Sequence, residues 1–126
     1  MSTSRTEQFI DALGHLERDA DTDPLVALFA DQCTLQNVTV GDDHHGKDGA
    51  RSFWTDDRKL FDSVQSDFRN VIVDGDRVAL EWSRQGTARD GGAVDYVGVS
   101  VIEFADDGIV RFMGYFHPRE LGRQTQ

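Results

Sequence analysis

The chain of 126 residues is poor in cysteine, in proline and in long apolar runs. The single cysteine, Cys33, excludes an internal disulfide and suits a reducing compartment. No apolar run approaches the roughly 20 residues that span a membrane. The first residues, 1–5, contain no apolar signal segment. These absences predict a cytoplasmic protein.

Basic residues are also scarce, with 13 Lys and Arg against 23 Asp and Glu, a formal net charge of −10. Such a surface repels phosphate backbones, so nucleic acid is not an expected partner. The acidic residues are scattered along the chain, which is typical of a solvated surface. The length predicts one domain over residues 1–126.

The first half of the chain shows helical signals. Ser4 followed by Glu7 forms a capping box, and apolar residues at helical spacing predict a helix over residues 5–19. Asp23 and Pro24 predict the start of a second helix, which ends near Ala30. The pattern then predicts a strand over residues 32–40, a polar loop over 41–46, and a third helix from Lys47 with Ala50, Phe53, Trp54 and Phe61 on one side.

The second half reads as strands. A strand over residues 64–73 is followed by three long strands over 77–88, 93–105 and 109–117, which are joined by turns that contain Asp-Gly. Helices grouped first and antiparallel strands last predict an α+β fold. Strands of this length must twist, so we expect a curled sheet around three helices in the order α-α-β-α-β-β-β-β.

Alternation along the last three strands separates two faces of the sheet. The face with bulky aromatic residues and glycines suits a concave side under the helices. The opposite face is too apolar for open water, so we expect a homodimer through it. The inner set is Val78, Leu80, Trp82, Arg84, Tyr96, Gly98, Ser100, Ile102, Phe104, Phe112, Gly114 and Phe116, and the dimer face is Val97, Val99, Val101, Met113 and Tyr115.

Four places in the chain resemble the nuclear transport factor 2-like superfamily in its SnoaL-like branch. They are LFADQCTL at 28–35, HG at 45–46, VALEWSRQGT at 78–87, and GIV at 108–110 leading to YFHPRELG at 115–122. The resemblance covers residues 6–122 and implies a cone-shaped pocket, frequent dimers and small-molecule chemistry. The superfamily includes ketosteroid isomerase, polyketide cyclases and limonene epoxide hydrolase, so the fold alone does not select a reaction.

The resemblance also implies that two known mechanisms are absent. The general-base aspartate of ketosteroid isomerase falls on Asn37 and its second acid on Ser100. The Tyr-Gln-Asn segment of limonene epoxide hydrolase falls on residues 35–37, and its Asp-Arg-Asp relay on Trp82, Arg84 and Gly114. Neither base survives at these positions, because an amide does not accept a proton at neutral pH and water activation needs a carboxylate.

Three residues are the candidates for a catalytic role: Asn37, Arg84 and Tyr96. Asn37 donates to a ligand oxygen or satisfies nearby backbone groups. A buried Arg84 binds a ligand anion, pairs with a protein carboxylate or reaches water. Tyr96 donates to a carbonyl or keeps its hydroxyl at the rim. The predicted pocket is lined by Leu35, Asn37, Trp54, Trp82, Arg84, Tyr96, Ser100, Phe112 and Phe116.

A metal site is not expected at His44 and His45, because no third ligand has the usual spacing. No cofactor is expected either. The leading hypothesis is a protein that binds an apolar or anionic small molecule, as an isomerase, cyclase or hydrolase of a carbonyl compound that works by positioning. The alternatives are a non-catalytic binding or dimerisation module and, with only the fold to suggest it, a transport adaptor.

Overall fold

The computed structural model describes residues 4–39 and 41–117. Predictions that fall on Val40 and on residues 118–122 therefore lie outside the described residues. The elements in chain order are α1 (Arg5–Asp19), α2 (Asp23–Val26), β1 (Phe29–Asn37), β2 (His44–His45), α3 (Gly46–Lys59), β3 (Phe61–Asp74), β4 (Arg77–Ala88), β5 (Ala93–Ala105) and β6 (Gly108–Phe116).

Helix α1 has the predicted bounds, and its two ends show why. The Ser4 hydroxyl accepts a hydrogen bond from the Glu7 backbone N–H at 3.1 Å, which satisfies one of the free donors of the first turn. Ala20 adopts a left-handed conformation with φ of 58° and donates to the Leu16 carbonyl, which ends the helix. Local sequence signals are therefore sufficient for this element.

Helix α2 is shorter than predicted. It ends at Val26, and Phe29 and Ala30, which the periodicity placed in the helix, begin strand β1. Phe29 aligns with Ile109 of β6, so a distant strand draws these residues out of helical structure. The prediction was wrong because pairing with β6 overrides a weak local helical pattern.

Helix α3 begins one residue before the predicted start, and Phe61 lies outside it. The helix ends at Lys59, so Phe61 is the first residue of β3 and not part of the apolar face of the helix. The polar loop before α3 contains the two-residue strand β2, which pairs with Thr34 and Leu35 of β1. The sequence pattern did not predict this strand.

The six strands form one mixed sheet in the order β2-β1-β6-β5-β4-β3. All neighbours are antiparallel except β1 and β6, which run parallel. The three predicted long strands are present, the last shifted by one residue at each end. The sheet does not close into a barrel, and with the three helices it confirms the α+β prediction.

Two apolar clusters fill the space between the helices and the sheet. The larger joins α1 and α3 to β1 and to the β4–β6 half of the sheet, and the smaller lies at the β3 end around Phe61, Trp82 and Tyr96. The most deeply buried side chains are at most 1% exposed and include Phe9, Leu16, Leu35, Leu80 and Ile109. Among the described residues, no helix is long and apolar enough to cross a membrane.

Candidate functional site

The inner face of the sheet carries the residues that the alternation predicted. Along β4, Val78, Leu80, Trp82 and Arg84 are buried, while the residues between them are only half-buried. On β5, Tyr96 and Ser100 face the same side. Strand parity is therefore confirmed, and it brings a cation, a phenol and a hydroxyl under the helices.

A small cavity, called here the inner cavity, lies between this face and helices α1 and α3. Its volume is about 40 Å³. That space can hold water or the end of a ligand, whereas whole ligands occupy pockets of about 300–1,000 Å³. It is lined by Phe9, Leu13, Asn37, Phe53, Trp54, Asp57, Ser66, Phe68, Trp82, Arg84, Tyr96, Ser100, Phe112, Gly114 and Phe116.

A larger depression, called here the outer cleft, adjoins the inner cavity and has a volume of about 360 Å³. The two share five lining residues, so they lie side by side between α3 and the sheet. Together they reach the size of an ordinary ligand site. The outer cleft is lined by Asn37, Gly41, Asp42, His44, Phe53, Asp56, Asp57, Leu60, Tyr96 and Phe116.

Two glycines on the inner face make room for the side chains opposite them. A Cβ at Gly98 would lie 2.5 Å from the Trp82 indole, and one at Gly114 would collide with the Asn37 Oδ1 atom. Trp82 and Asn37 can therefore lie flat against the sheet only because these positions have no side chain. A side chain at Gly98 or Gly114 would displace Trp82 or Asn37, both of which line the inner cavity.

Arg84 is fixed by two protein carboxylates. Its Nη1 and Nη2 atoms donate to the two carboxylate oxygens of Asp57, each at 2.8 Å. Its Nε and Nη2 atoms donate to Glu17 Oε2 at 3.2 and 3.1 Å. Nε also donates to the Ser66 hydroxyl at 3.1 Å. The arginine is thus satisfied within the protein, which is one of the alternatives left open above.

The cluster of Arg84, Glu17 and Asp57 has a formal charge of −1, since one guanidinium meets two carboxylates. Burial lowers the pKa of Arg84, but the charges of Asp57, Tyr96 and Glu17 and the hydrogen bond to Asp57 together more than offset this, so the pKa lies well above its ordinary value. Arg84 therefore stays charged at neutral pH. Its role here is to hold Asp57 on α3 and Glu17 on α1 against the sheet.

Two hydroxyl groups in the inner cavity still have a proton to donate. The Tyr96 hydroxyl accepts from Arg84 Nη1 at 3.1 Å, and the Ser100 hydroxyl accepts from Trp82 Nε1 at 3.0 Å. Arginine and tryptophan can only donate, so each hydroxyl must direct its own proton elsewhere. Burial raises the pKa of Tyr96, with a partial opposing effect from Arg84, so its hydroxyl remains protonated at neutral pH.

Two nitrogen donors complete the set. Trp54 is 4% exposed and lines the inner cavity, and its Nε1 atom has no hydrogen-bond partner among the described residues. The Asn37 side-chain amide is half-buried and borders both the cavity and the cleft. A buried unpaired donor is costly, so its persistence suggests an external acceptor.

Eight of the nine residues predicted to line a pocket surround the inner cavity. The exception is Leu35, which is completely buried in the larger apolar cluster and does not line the cavity. That prediction was wrong because the Leu35 side chain packs under α3. The three catalytic candidates, Asn37, Arg84 and Tyr96, do meet at the cavity, and whether they act on a ligand stays a prediction.

Sequence reasoning missed three polar residues of the site: Glu17, Asp57 and Ser66. Glu17 of α1 is only 6% exposed and accepts from the Ser66 backbone N–H at 3.1 Å. Asp57 follows Phe53 by four residues, which places it on the buried side of α3. Asp57 could have been identified from this spacing, because a buried arginine needs an anion nearby.

The remaining candidates of the sequence lie apart from this chemistry. His45 is exposed, with its ring 3.4 Å from the Thr34 hydroxyl, and His44 packs edge-on against Phe53 at the outer cleft. In the described ranges, no group of three or more His, Cys, Asp or Glu side chains could hold a metal ion. Burial raises the pKa of the Cys33 thiol, which is the behaviour of a structural cysteine.

Comparison with known proteins extends these findings. Residues 6–112 match the family model of the SnoaL-like domain. No curated protein matches the chain. A nuclear transport factor 2-like protein of unknown function from Burkholderia pseudomallei superposes with a TM-score of 0.84 at 19% identity, covering 98% of this chain and 99% of the other.

Two further structures with the same fold have a bound compound or a named activity. TerC, co-crystallised with polyporic acid, has a TM-score of 0.81 at 18% identity and covers 97% of this chain and 98% of its own. An epoxide hydrolase from Mycobacterium tuberculosis, similar to limonene epoxide hydrolase, has a TM-score of 0.70 at 19% identity, with coverages of 95% and 90%. Identities this low establish the fold alone.

Proposed function

The chain belongs to the SnoaL-like domain family, and we propose that it binds a small carbonyl compound with the carbonyl end in the inner cavity and the body in the outer cleft. We further propose that it acts on this compound as an isomerase, cyclase or hydrolase. Relatives of the same fold include a protein crystallised with polyporic acid and an epoxide hydrolase, so the fold accommodates small-molecule chemistry. The single cysteine favours action in a reducing compartment, the cytoplasm.

The observation that carries the proposal is an excess of hydrogen-bond donors in an apolar cavity. Tyr96 and Ser100 each have a hydroxyl proton to donate, and the Trp54 indole N–H has no partner among the described residues. The rest of the lining is mostly aromatic. A carbonyl oxygen is small, accepts two hydrogen bonds and carries no charge, so it complements this surface better than any protein group nearby.

The same donors suggest how a reaction would be assisted. Donors held in place by Arg84 and Trp82 stabilise negative charge that develops on a carbonyl oxygen, without reorganising during the reaction. The Asn37 amide lies at the junction of cavity and cleft, where it would orient the reacting part of the ligand. Both oxygens of Asp57 are engaged by Arg84, so this carboxylate serves as a support and not as a free base.

Of an apolar and an anionic ligand, the contacts favour the apolar one. Arg84 is the only cation that lines the inner cavity within the described residues, and its N–H groups are already bonded to Asp57, Glu17, Ser66 and Tyr96. An added anion would have to displace one of these partners. We therefore propose a ligand without a negative charge at its buried end.

Acetophenone and α-methylstyrene test this proposal, because they share a shape and only the former carries a carbonyl oxygen. We expect the native protein to bind acetophenone more tightly in titration calorimetry. Tyr96→Phe and Trp54→Phe should each weaken acetophenone about fivefold, since one hydrogen bond contributes roughly 1 kcal/mol, and should leave α-methylstyrene unchanged. Tyr115→Phe removes a hydroxyl from the exposed outer face and is the matched control. Equal affinity for both compounds would reject a carbonyl site.

Turnover distinguishes an enzyme from the alternative, a non-catalytic binding or dimerisation module. The small volume of the inner cavity favours that alternative, because it leaves little room for a moving substrate. Exchange of the methyl protons of acetophenone in D₂O, followed by NMR, reports stabilisation of the enolate. Acceleration that disappears in Tyr96→Phe supports an enzyme, while binding without acceleration supports the module.

A further inference from the structure

The outer cleft is lined by three carboxylates and, within the described residues, by no lysine or arginine. Asp42 and Asp56 are exposed and make no ion pair in the described part of the chain, and Asp57 borders both the cleft and the inner cavity. Among the residues that the structure describes, His44 is the one side chain lining the cleft that can gain a positive charge, and its ring packs against Phe53. The cleft therefore presents uncompensated negative charge to anything that enters it.

Acidic residues on an acidic protein are not in themselves a binding site. This cleft differs because it leads to the inner cavity, where the Trp54 N–H is buried without a partner in the described residues. That unpaired donor points to a ligand independently of the carboxylates. The inner cavity holds only about 40 Å³, so the rest of a ligand that reaches Trp54 would extend into an adjoining depression such as the outer cleft.

The buried charges beneath the outer cleft do not cancel its negative charge. Asp57 is paired with Arg84, so Arg84, Asp57 and Glu17 together carry a formal −1, and Asp42 and Asp56 supply the unpaired negative charge of the cleft. Phe53, Tyr96 and Phe116 also line the cleft. Aromatic ring faces attract cations, and more strongly so where water is partly excluded.

We propose that the ligand carries a basic nitrogen, protonated at neutral pH, on the end that occupies the outer cleft. This inference rests on the proposed function, and the two together define an amino-bearing carbonyl compound. Its uncharged acceptor oxygen lies at Trp54, Tyr96 and Ser100. Its ammonium group lies near Asp42 and Asp56. Negative charge at that outer end is disfavoured by the same carboxylates.

Three acetophenones that differ only at the para position serve as probes: the aminomethyl, the hydroxymethyl and the carboxylate derivative. We expect the aminomethyl compound to bind about tenfold more tightly than the carboxylate, with the neutral compound between them, because exposed charges attract or repel one another only weakly in water. The preference should shrink at high salt, which screens exposed charges.

A double substitution, Asp42→Asn with Asp56→Asn, tests the cause. It should bring the three affinities together while leaving the neutral compound unchanged. The matched control is Asp106→Asn with Asp107→Asn, which removes the same charge from the exposed turn between β5 and β6. The control should keep the preference, since those carboxylates lie outside both the cavity and the cleft.

The outcomes separate this inference from the proposed function. Equal binding of all three probes, or tighter binding of the carboxylate, would overturn the basic ligand and leave the carbonyl site standing. A preference that survives in the Asp42/Asp56 variant would also overturn it. Failure of all three probes to bind would reject both proposals, because the neutral ketone tests the carbonyl site alone.

Discussion

Arg84 joins three elements through one side chain. It lies on β4, and its partners Glu17 and Asp57 lie on α1 and α3. The guanidinium also lies over the Phe61 ring, with 5.4 Å from its central carbon to the ring centre. Both carboxylates are nearly buried, so they need the positive charge of Arg84, and the buried Arg84 needs their negative charge.

Replacing Arg84 by Met should therefore destabilise the protein by about 3–5 kcal/mol, because two buried carboxylates lose their counter-charge. Urea unfolding followed by tryptophan fluorescence measures the change. The companion variant adds Glu17→Gln and Asp57→Asn to the same protein and should recover much of the loss. A cost below roughly 1 kcal/mol for the single change would show that the cluster contributes little to stability.

At the scale of elements, helix α1 begins at the residue that the sequence indicates. The Ser4 hydroxyl accepts from the Glu7 backbone N–H, and the Ser4 Oγ lies 3.0 Å from the Glu7 carboxylate. The same helix supplies Phe9 and Leu13 to the inner cavity and Glu17 to the buried cluster. Loosening its first turn therefore affects one wall of the site.

Ser4→Ala should lower the free energy of unfolding by about 1 kcal/mol, since it removes the N-cap acceptor. Ser4→Asp keeps an acceptor and adds a negative charge at the helix N-terminus, so it should be close to neutral. Chemical denaturation compares the two variants with the native protein. Equal losses in both would mean that the hydroxyl cap does not stabilise α1.

At the scale of the whole molecule, one sheet face remains uncovered. Val97, Val99 and Tyr115 are 58%, 37% and 41% exposed on the face away from the helices. Val101 is half-buried, and Met113, predicted to lie on the same face, is only 9% exposed. An apolar sheet face of this kind usually has a partner, and we propose that a second copy covers it.

Sedimentation equilibrium tests the dimer. We expect the native protein to sediment at twice the mass of one chain, and Val97→Arg with Val99→Arg to sediment as a monomer, because paired copies would bury four like charges. Val73→Arg is the control, since Val73 is equally exposed at 58% but lies on the edge strand β3. A native monomer, or dissociation by the control as well, would contradict this interface.

Short-range rules were enough for most of this fold. The cap at Ser4 set the start of α1, the Asp-Gly turns set the ends of β4, β5 and β6, and alternation identified the buried face that carries Trp82, Arg84 and Tyr96. The resemblance to the SnoaL-like family is confirmed by the family match over residues 6–112. These features depend on residues within a few positions of one another, which a sequence displays directly.

Tertiary contacts decided the rest. Glu17 and Arg84 are 67 positions apart, and only the packing of α1 on the sheet brings them together. The parallel pairing with β6 moved Phe29 from a helix to a strand, and packing under α3 took Leu35 away from the cavity. The partner of a buried charge and the size of a cavity depend on how whole elements pack together, and no local pattern in the sequence encodes this packing.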